Sequence, residues 1–176
     1  MARKRSTCLF LTNFLIVLST AMLSISSNAQ APARTPYSAP GDWTVTTYRA
    51  GDTGAFLRCS AERHYEAQAL TVAKNAAGKF VLGFTSNDWT FEDRSTHPIS
   101  VRVDSGDEVA LSGRVRILPS GPIVFVDIEE GSGVIAKLSA GYSLHINAGE
   151  VSLTMDLAGS AAAIASTNQC HIDATE

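Results

Sequence analysis

The sequence predicts an all-β fold: a single antiparallel β-sandwich or barrel-like domain with one or two short helices, the last one C-terminal, behind an N-terminal signal helix. Three observations support this class. Short stretches of alternating apolar and polar residues recur about every 8–12 residues, with turn residues between them. No strand–helix–strand alternation indicates a parallel sheet. Residues 150–170 read as an alternating strand followed by a helix of small residues.

The predicted strands are bounded by turns rich in glycine, proline and asparagine. They span residues 43–48, 55–60, 69–74, 79–85, 99–104, 109–111, 114–118, 123–128, 142–147 and 150–157. The tight connection at residues 75–78 joins two of these strands into a clear hairpin. Residues 123–128 are almost continuously hydrophobic, which is typical of a central strand.

Two helices are predicted from their capping signals. Ser132 can cap a helix over residues 132–140, whose apolar side recurs at i, i+1 and i+4, and Gly141 stands at its C-terminal end. Ser160 is expected to cap the final helix. The small alanines that follow would let this helix lie close against a sheet.

Residues 1–29 have the three parts of a secretory signal peptide. Basic residues at positions 3–5 precede a mostly apolar run, and small residues precede cleavage after Ala29 or Ala31. A membrane anchor is the alternative, but a spanning helix needs about 20 strongly apolar residues, and this run is shorter and interrupted by polar groups. We therefore expect a periplasmic or secreted protein without a transmembrane anchor after cleavage.

The mature chain of about 147 residues is long enough for one domain with a substantial core. Residues 30–40 are rich in proline and alanine and lack an apolar period, so they predict a flexible lead-in. The β-sandwich domain is expected over residues 41–172. No internal repeat is visible.

The cysteines predict one disulfide. Cys8 would leave with the signal peptide, and Cys59 and Cys170 would remain in an oxidising compartment. The alternatives are two unpaired buried thiols or a metal site, although the chain has no C-x-x-C and no paired His/Cys spacing. A bond between Cys59 and Cys170 would close a long loop. For a loop of this size the chain-entropy relation gives a stabilisation of the folded state of roughly 3–5 kcal/mol.

The charge of the chain argues against nucleic acid and anionic membranes as partners. Removal of the signal peptide takes three of the 14 basic residues and none of the 17 acidic ones, so the mature net charge is −6. The acidic residues are scattered, which is also the ordinary pattern of a soluble surface. We expect no cofactor.

Motifs for catalysis or metal binding are weak. The four histidines, at positions 64, 97, 145 and 171, lack the spacing of a helical or strand metal pair. No G-x-S-x-G elbow is present, and Gly131-Ser132-Gly133 is better explained as a helix start. The acidic turn at residues 104–108 lacks the calcium-loop pattern. A small secreted enzyme with a Ser/His/Asp site assembled by the fold remains the alternative class.

Two polar-aromatic loops, residues 63–66 and 87–94, supply the candidate partner surface. Its residues are Arg63, His64, Tyr65, Trp89, Phe91 and Arg94. If Trp89 and Phe91 are exposed, they form a binding patch; if they are buried, they close one end of the core.

The order of several short motifs resembles a known family. Gly41-Asp42-Trp43 opens the domain, Val101-Arg102-Val103-Asp104 precedes the acidic turn, and Leu157-Ala158-Gly159 starts the small-residue ending. In this order the chain resembles the invasion-associated locus B family of small exported alphaproteobacterial proteins. The resemblance implies a β-sandwich and a link to host-cell entry, and it brings no catalytic residues. Thr46 and Thr47 stand where that family tends to carry a cysteine, so its disulfide pattern does not transfer.

These observations together predict an exported, non-enzymatic binding or envelope-associated protein, linked through the resemblance to host interaction or invasion. Its expected partner is a protein of the envelope or the host. The alternatives are the small secreted enzyme and an envelope stress protein.

Overall fold

A computed structural model describes residues 30–176, and the predicted signal peptide, residues 1–29, lies outside the described residues. Ten strands and two helices follow one another along the chain. The strands are β1 (Ala33–Ser38), β2 (Thr44–Arg49), β3 (Phe56–His64), β4 (Gln68–Asn75), β5 (Phe80–Ser86), β6 (Thr96–Val103), β7 (Val109–Leu118), β8 (Gly121–Asp127), β9 (Ser143–Ala148) and β10 (Val151–Asp156). The helices are α1 (Val134–Ala140), between β8 and β9, and α2 (Ser160–Thr175) at the C-terminus.

All ten strands belong to one sheet with the order β1-β2-β3-β4-β5-β8-β7-β6-β9-β10. Every pairing is antiparallel. The predicted all-β class with a C-terminal helix is therefore confirmed. The sheet is continuous and open, rather than split into the two sheets of a sandwich, because β5 pairs with β8 and joins the two halves.

The sheet curls around its core. In a flat sheet, β2 and β10 would be eight strand spacings apart, roughly 38 Å. Instead, the indole N–H of Trp43, just before β2, donates a hydrogen bond of 2.9 Å to the carbonyl oxygen of Ala158, just after β10. The buried side chains of both halves consequently meet in one hydrophobic core.

Helix α2 covers one part of this core and packs against β2, β3, β4 and α1. The predicted disulfide is confirmed: Cys59 of β3 is bonded to Cys170 of α2, and both residues are buried. Two predicted caps are corrected. Gly133 and Gly159 occupy the cap positions in left-handed conformations. Ser160 is the first residue of α2, and its hydroxyl donates a buried 2.7 Å hydrogen bond to the Leu138 carbonyl oxygen of α1.

The predicted flexible lead-in, residues 30–40, contains strand β1, so the sheet begins before residue 41. β1 pairs with β2, whose edge would otherwise leave backbone groups unpaired. Pro36 fits there because an edge strand tolerates a missing N–H. At the other end, α2 continues past the predicted limit of residue 172 to Thr175.

Strand β7 runs without interruption where the sequence predicted two shorter strands on either side of Gly113. A Cβ atom on Gly113 would lie 2.5 Å from Val124 Cγ1 and 2.6 Å from Ile99 Cγ1. This glycine is therefore needed for close packing against neighbouring strands and does not mark a turn. No helix in the described part of the chain, residues 30–176, is long and apolar enough to cross a membrane.

Candidate functional site

Strands β2, β3, β4, β5, β8 and β7 lie side by side, and the face they share opposite the core carries an open groove of about 1020 Å³. Because side chains of a strand alternate between its two faces, most residues that line the groove are those that point away from the core. The loops after β3 and β5 close one end of it. This surface is called the groove below.

The floor of the groove consists of small side chains on β3, β4 and β5. They are Ser60, Thr71, Ala73, Gly83 and Thr85. A Cβ atom on Gly83 would lie 3.1 Å from the Cβ of Thr71 and 3.3 Å from Ile123 Cδ1. The groove therefore exists because small residues in the middle of the sheet are flanked by large ones on both sides.

The first wall of the groove is a row of three paired residues on β1, β2 and β3. Arg34 pairs with Tyr48, and Tyr48 pairs with Arg58. The guanidinium carbons of Arg34 and Arg58 lie 5.4 Å and 4.0 Å from the centroid of the Tyr48 ring, within the range of cation–π attraction.

A carboxylate fixes the polar end of this wall. Glu62 Oε1 accepts hydrogen bonds of 2.9 Å from the Tyr48 hydroxyl and 3.2 Å from the Ser60 hydroxyl. Burial raises the pKa of Tyr48, and the neighbouring Glu62 carboxylate raises it further because it disfavours a phenolate. Tyr48 is thus held neutral as a hydrogen-bond donor.

The second wall is formed by β7, β8 and the loop before β6, and it is basic. Arg114 forms an ion pair of 2.7 Å with Asp127. Asp93 lies 3.4 Å from both Arg94 and Arg116. The pKa of Asp93 is lowered chiefly by the backbone N–H of Ile117, which donates to its carboxylate, and also by these two guanidinium groups.

The groove is more basic than the rest of the chain. Its arginines are Arg34, Arg58, Arg94, Arg114 and Arg116, and its acidic residues are Glu62, Glu66 and Asp127, together with Asp93 between Arg94 and Arg116. These five positive and four negative groups give the surface a formal charge of +1, whereas residues 30–176 as a whole carry −6. The side chains of Arg94, Arg114 and Arg116 are 80%, 63% and 56% exposed, so their guanidinium groups are accessible to a ligand.

The groove brings together part of the predicted candidate surface. His64, Tyr65 and Arg94 all line it, as do Glu66 and Asn87 from the same two loops. The two polar-aromatic loops therefore meet at one end of the groove, although they are more than 20 residues apart in the sequence.

The structure corrects the position of Arg63, whose side chain points away from the groove and is only 8% exposed. Its Nη1 donates to the carbonyl oxygens of Asp156 and Ala158, at 3.2 Å and 2.9 Å. Its Nη2 donates to the carboxylates of Asp156 and Asp42, at 2.7 Å and 3.3 Å. Four oxygen acceptors compensate the burial of the guanidinium group, and the contact joins β3 to the end of β10.

Trp89 and Phe91 are likewise not an exposed patch. Trp89 is 4% exposed and belongs to the core, and Phe91 packs against that core. The Phe91 ring stacks on His97 at 4.4 Å, and His97 Nε2 is hydrogen-bonded to the Ser95 hydroxyl at 2.9 Å. These large apolar surfaces close one end of the core, which is the second of the two predicted possibilities.

Serine, histidine and carboxylate groups, which the enzyme alternative requires, meet at β9. Asp104 accepts hydrogen bonds from the Ser143 hydroxyl at 3.1 Å and from the backbone N–H groups of Tyr142 and Ser143. Ser143 Oγ lies 3.3 Å from His145 Nε2, and His145 Nδ1 is bonded to Thr154. Catalytic triads place the histidine between serine and carboxylate, whereas here the serine lies between the other two.

The carboxylate of Asp104 fixes the start of β9. Its pKa is lowered, chiefly by the backbone N–H of Ser143, which donates to it. The same contacts give the predicted acidic turn a structural role in holding the start of β9. Within residues 30–176, no group of three or more His, Cys, Asp or Glu residues is placed to hold a metal ion.

Sequence reasoning missed the arginines of the second wall and the small floor residues. The alternation Arg114-Val115-Arg116 was a visible signal that both arginines share one face of a strand. Only the pairing of β5 with β8 and of β8 with β7 places that face beside β3 and β4.

No family model and no curated protein matches this chain. Among solved structures, the fold is similar to the crystal structure of invasion associated protein B from Bartonella henselae. The two chains are 21% identical with a TM-score of 0.55, and the match covers 80% of this chain and 99% of the other. The likeness shows a shared fold and supports the distant resemblance that the order of motifs indicated.

Proposed function

We propose that this protein is an exported, non-enzymatic binding protein that acts in the periplasm or outside the cell, and that it holds its partner in the groove. The observation that carries the proposal is the groove itself: a large, open concavity whose accessible arginines contrast with the acidic chain around it. Concave surfaces with a few convergent polar groups are the usual form of binding sites.

Export is supported by the signal-peptide pattern of residues 1–29 and by the disulfide between Cys59 and Cys170. Such bonds persist in oxidising compartments and are rare in the cytosol. The solved structure with the same fold is named an invasion associated protein, and a link to host interaction is the corresponding part of this proposal.

Binding is favoured over catalysis by the burial of Ser60. Its hydroxyl donates to Glu62, and His64 Nε2 lies 4.0 Å from the other Glu62 oxygen. Ser60 is 0% exposed, so a ligand in the groove does not reach the hydroxyl that these groups would activate.

The test fills the groove without altering its charge. Ala73, on the floor and 6% exposed, is replaced by tryptophan, and Ala110, an exposed alanine of β7 outside the groove, receives the same change as a control for the added indole. A deletion strain complemented with each variant is assayed for host-cell entry and for envelope stress, and thermal melting verifies that both variants fold.

We expect Ala110→Trp to restore the wild-type phenotype and Ala73→Trp to fail. Full complementation by a folded Ala73→Trp protein would rule out the groove as the binding site. Mass spectrometry of the periplasmic and culture fractions tests export separately, and we expect a mature N-terminus at Gln30 or Pro32. Retention of the uncleaved chain in the cytoplasm would overturn the exported location.

A further inference from the structure

We propose that the ligand of the groove is an acidic polypeptide segment bound in an extended conformation. This inference rests on the proposed function and names the chemical class of the partner. The basic residues that line the described groove are all arginines apart from His64. A guanidinium group presents a planar fork of donors that matches a carboxylate, so arginine is suited to recognising acidic side chains.

The existing ion pairs of the groove leave these arginines available. Arg114 and Asp127 are 63% and 62% exposed, and exposed pairs of this kind contribute little to stability. The carboxylate of Asp93 is shared between Arg94 and Arg116. Carboxylates of a ligand can therefore add to or replace these contacts at small cost.

The width of the groove suits an extended ligand. Arg58 lies on β3 and Arg114 on β7, four strand spacings apart, and because the sheet is curled this separation is at most about 19 Å. An extended peptide of up to about six residues covers this distance.

The floor of the groove favours a polypeptide over other anionic polymers. Ala73, Val81 and Phe125 offer apolar surface on which small apolar side chains can pack. Single-stranded nucleic acids are bound largely by stacking of bases on aromatic rings. Tyr48 is 4% exposed and flanked by Arg34 and Arg58, so apart from His64 the stacking surface is limited to the half-buried rings of Tyr65 and Phe125.

The experiment measures fluorescence anisotropy of a labelled eight-residue peptide of alternating glutamate and valine, mixed with the exported, disulfide-bonded protein. A peptide with glutamine in place of glutamate is the uncharged counterpart. The protein variants are Ala73→Trp and the double variant Arg114→Gln/Arg116→Gln. Arg102→Gln changes an exposed arginine of β6 outside the groove and is the matched control.

We expect the glutamate peptide to bind, with an affinity that falls as salt is added. The double arginine variant should weaken binding about tenfold and Ala73→Trp should abolish it, whereas Arg102→Gln should bind as the wild type does.

The other outcomes separate this inference from the proposed function. Two outcomes would overturn the acidic polypeptide as the ligand and leave the groove as the binding site. One is equal binding of the glutamine peptide. The other is tighter binding of a sulfated glycan or an oligonucleotide that Ala73→Trp weakens. No binding of the glutamate peptide at millimolar concentration would also overturn the inference. In that case the complementation assay with Ala73→Trp would still show whether the groove is the binding site. Binding that Ala73→Trp does not affect would overturn both proposals.

Discussion

The two faces of strand β3 show how one stretch of sequence serves two purposes. On the core side, Cys59 is bonded to α2 and Arg63 is bonded to the residues that end β10. On the other side, Arg58 and Glu62 line the groove and stay partly exposed. The two arginines differ by five positions and therefore point to opposite faces.

This difference shows that the environment, rather than the residue type, decides the role of an arginine. Arg63 is surrounded by four oxygen acceptors and excluded from solvent, so it holds the curled sheet together. Arg58 stacks against one tyrosine at the edge of an open concavity. Changes on the core side should therefore affect stability, and changes on the groove side should affect binding.

The largest effect is expected from the disulfide. Replacing both Cys59 and Cys170 with alanine removes the constraint on a closed loop of 111 residues. The free energy of unfolding should fall by about 3–5 kcal/mol. Urea denaturation of the variant and the oxidised wild type measures this difference. An unchanged midpoint, or two free thiols in the exported protein by non-reducing mass spectrometry, would contradict the role assigned to this bond.

The second prediction compares the two arginines directly. Arg63→Gln leaves the carbonyl oxygens of Asp156 and Ala158 with fewer donors and should lower the free energy of unfolding by about 2–3 kcal/mol. Arg58→Gln, on the same strand but the opposite face, should cost less than about 1 kcal/mol. Denaturation curves under the same conditions check both values, and equal losses would remove the distinction between the two faces.

The smallest effect concerns pH and the partner of Arg63. The pKa of Asp156 is lowered from its usual value of 3.8, first by the backbone N–H of Ala158 and then by Arg63. A carboxyl whose folded pKa is depressed contributes stability above its unfolded pKa and loses it as the pH falls through the folded pKa. The melting temperature should therefore decrease as the pH is lowered from about 5 through the usual aspartate range.

Asp156→Asn keeps a hydrogen-bond acceptor and removes the titrating carboxyl group. The melting temperature of the variant should therefore decrease less than that of the wild type over the same pH range. Asp107→Asn, in the exposed turn between β6 and β7, is the matched control and should follow the wild type. A pH profile of Asp156→Asn that is identical to that of the wild type would show that this carboxylate does not contribute to the pH dependence of stability.

Several features were predictable because they depend on local patterns. Alternation located the strands, and the two cysteines outside the predicted signal peptide left one possible pair between them. Strand β1 was missed because proline-rich sequence is also typical of flexible segments, and its pairing depends on an edge offered by β2. Trp89 could not be placed from the sequence, because its burial depends on packing against distant strands.

The sequence by itself determined the all-β class, the disulfide and the separation of polar and apolar faces. The class and the faces follow from the alternation of neighbouring residues, and the disulfide follows from the two cysteines that lie outside the predicted signal peptide. Only the tertiary structure decided which faces meet. The pairings of β5 with β8 and of β6 with β9 join residues far apart in the chain and create the groove and the continuous sheet. Arg63 became a structural residue because its acceptors, 93 and 95 positions away, arrive only when the sheet curls.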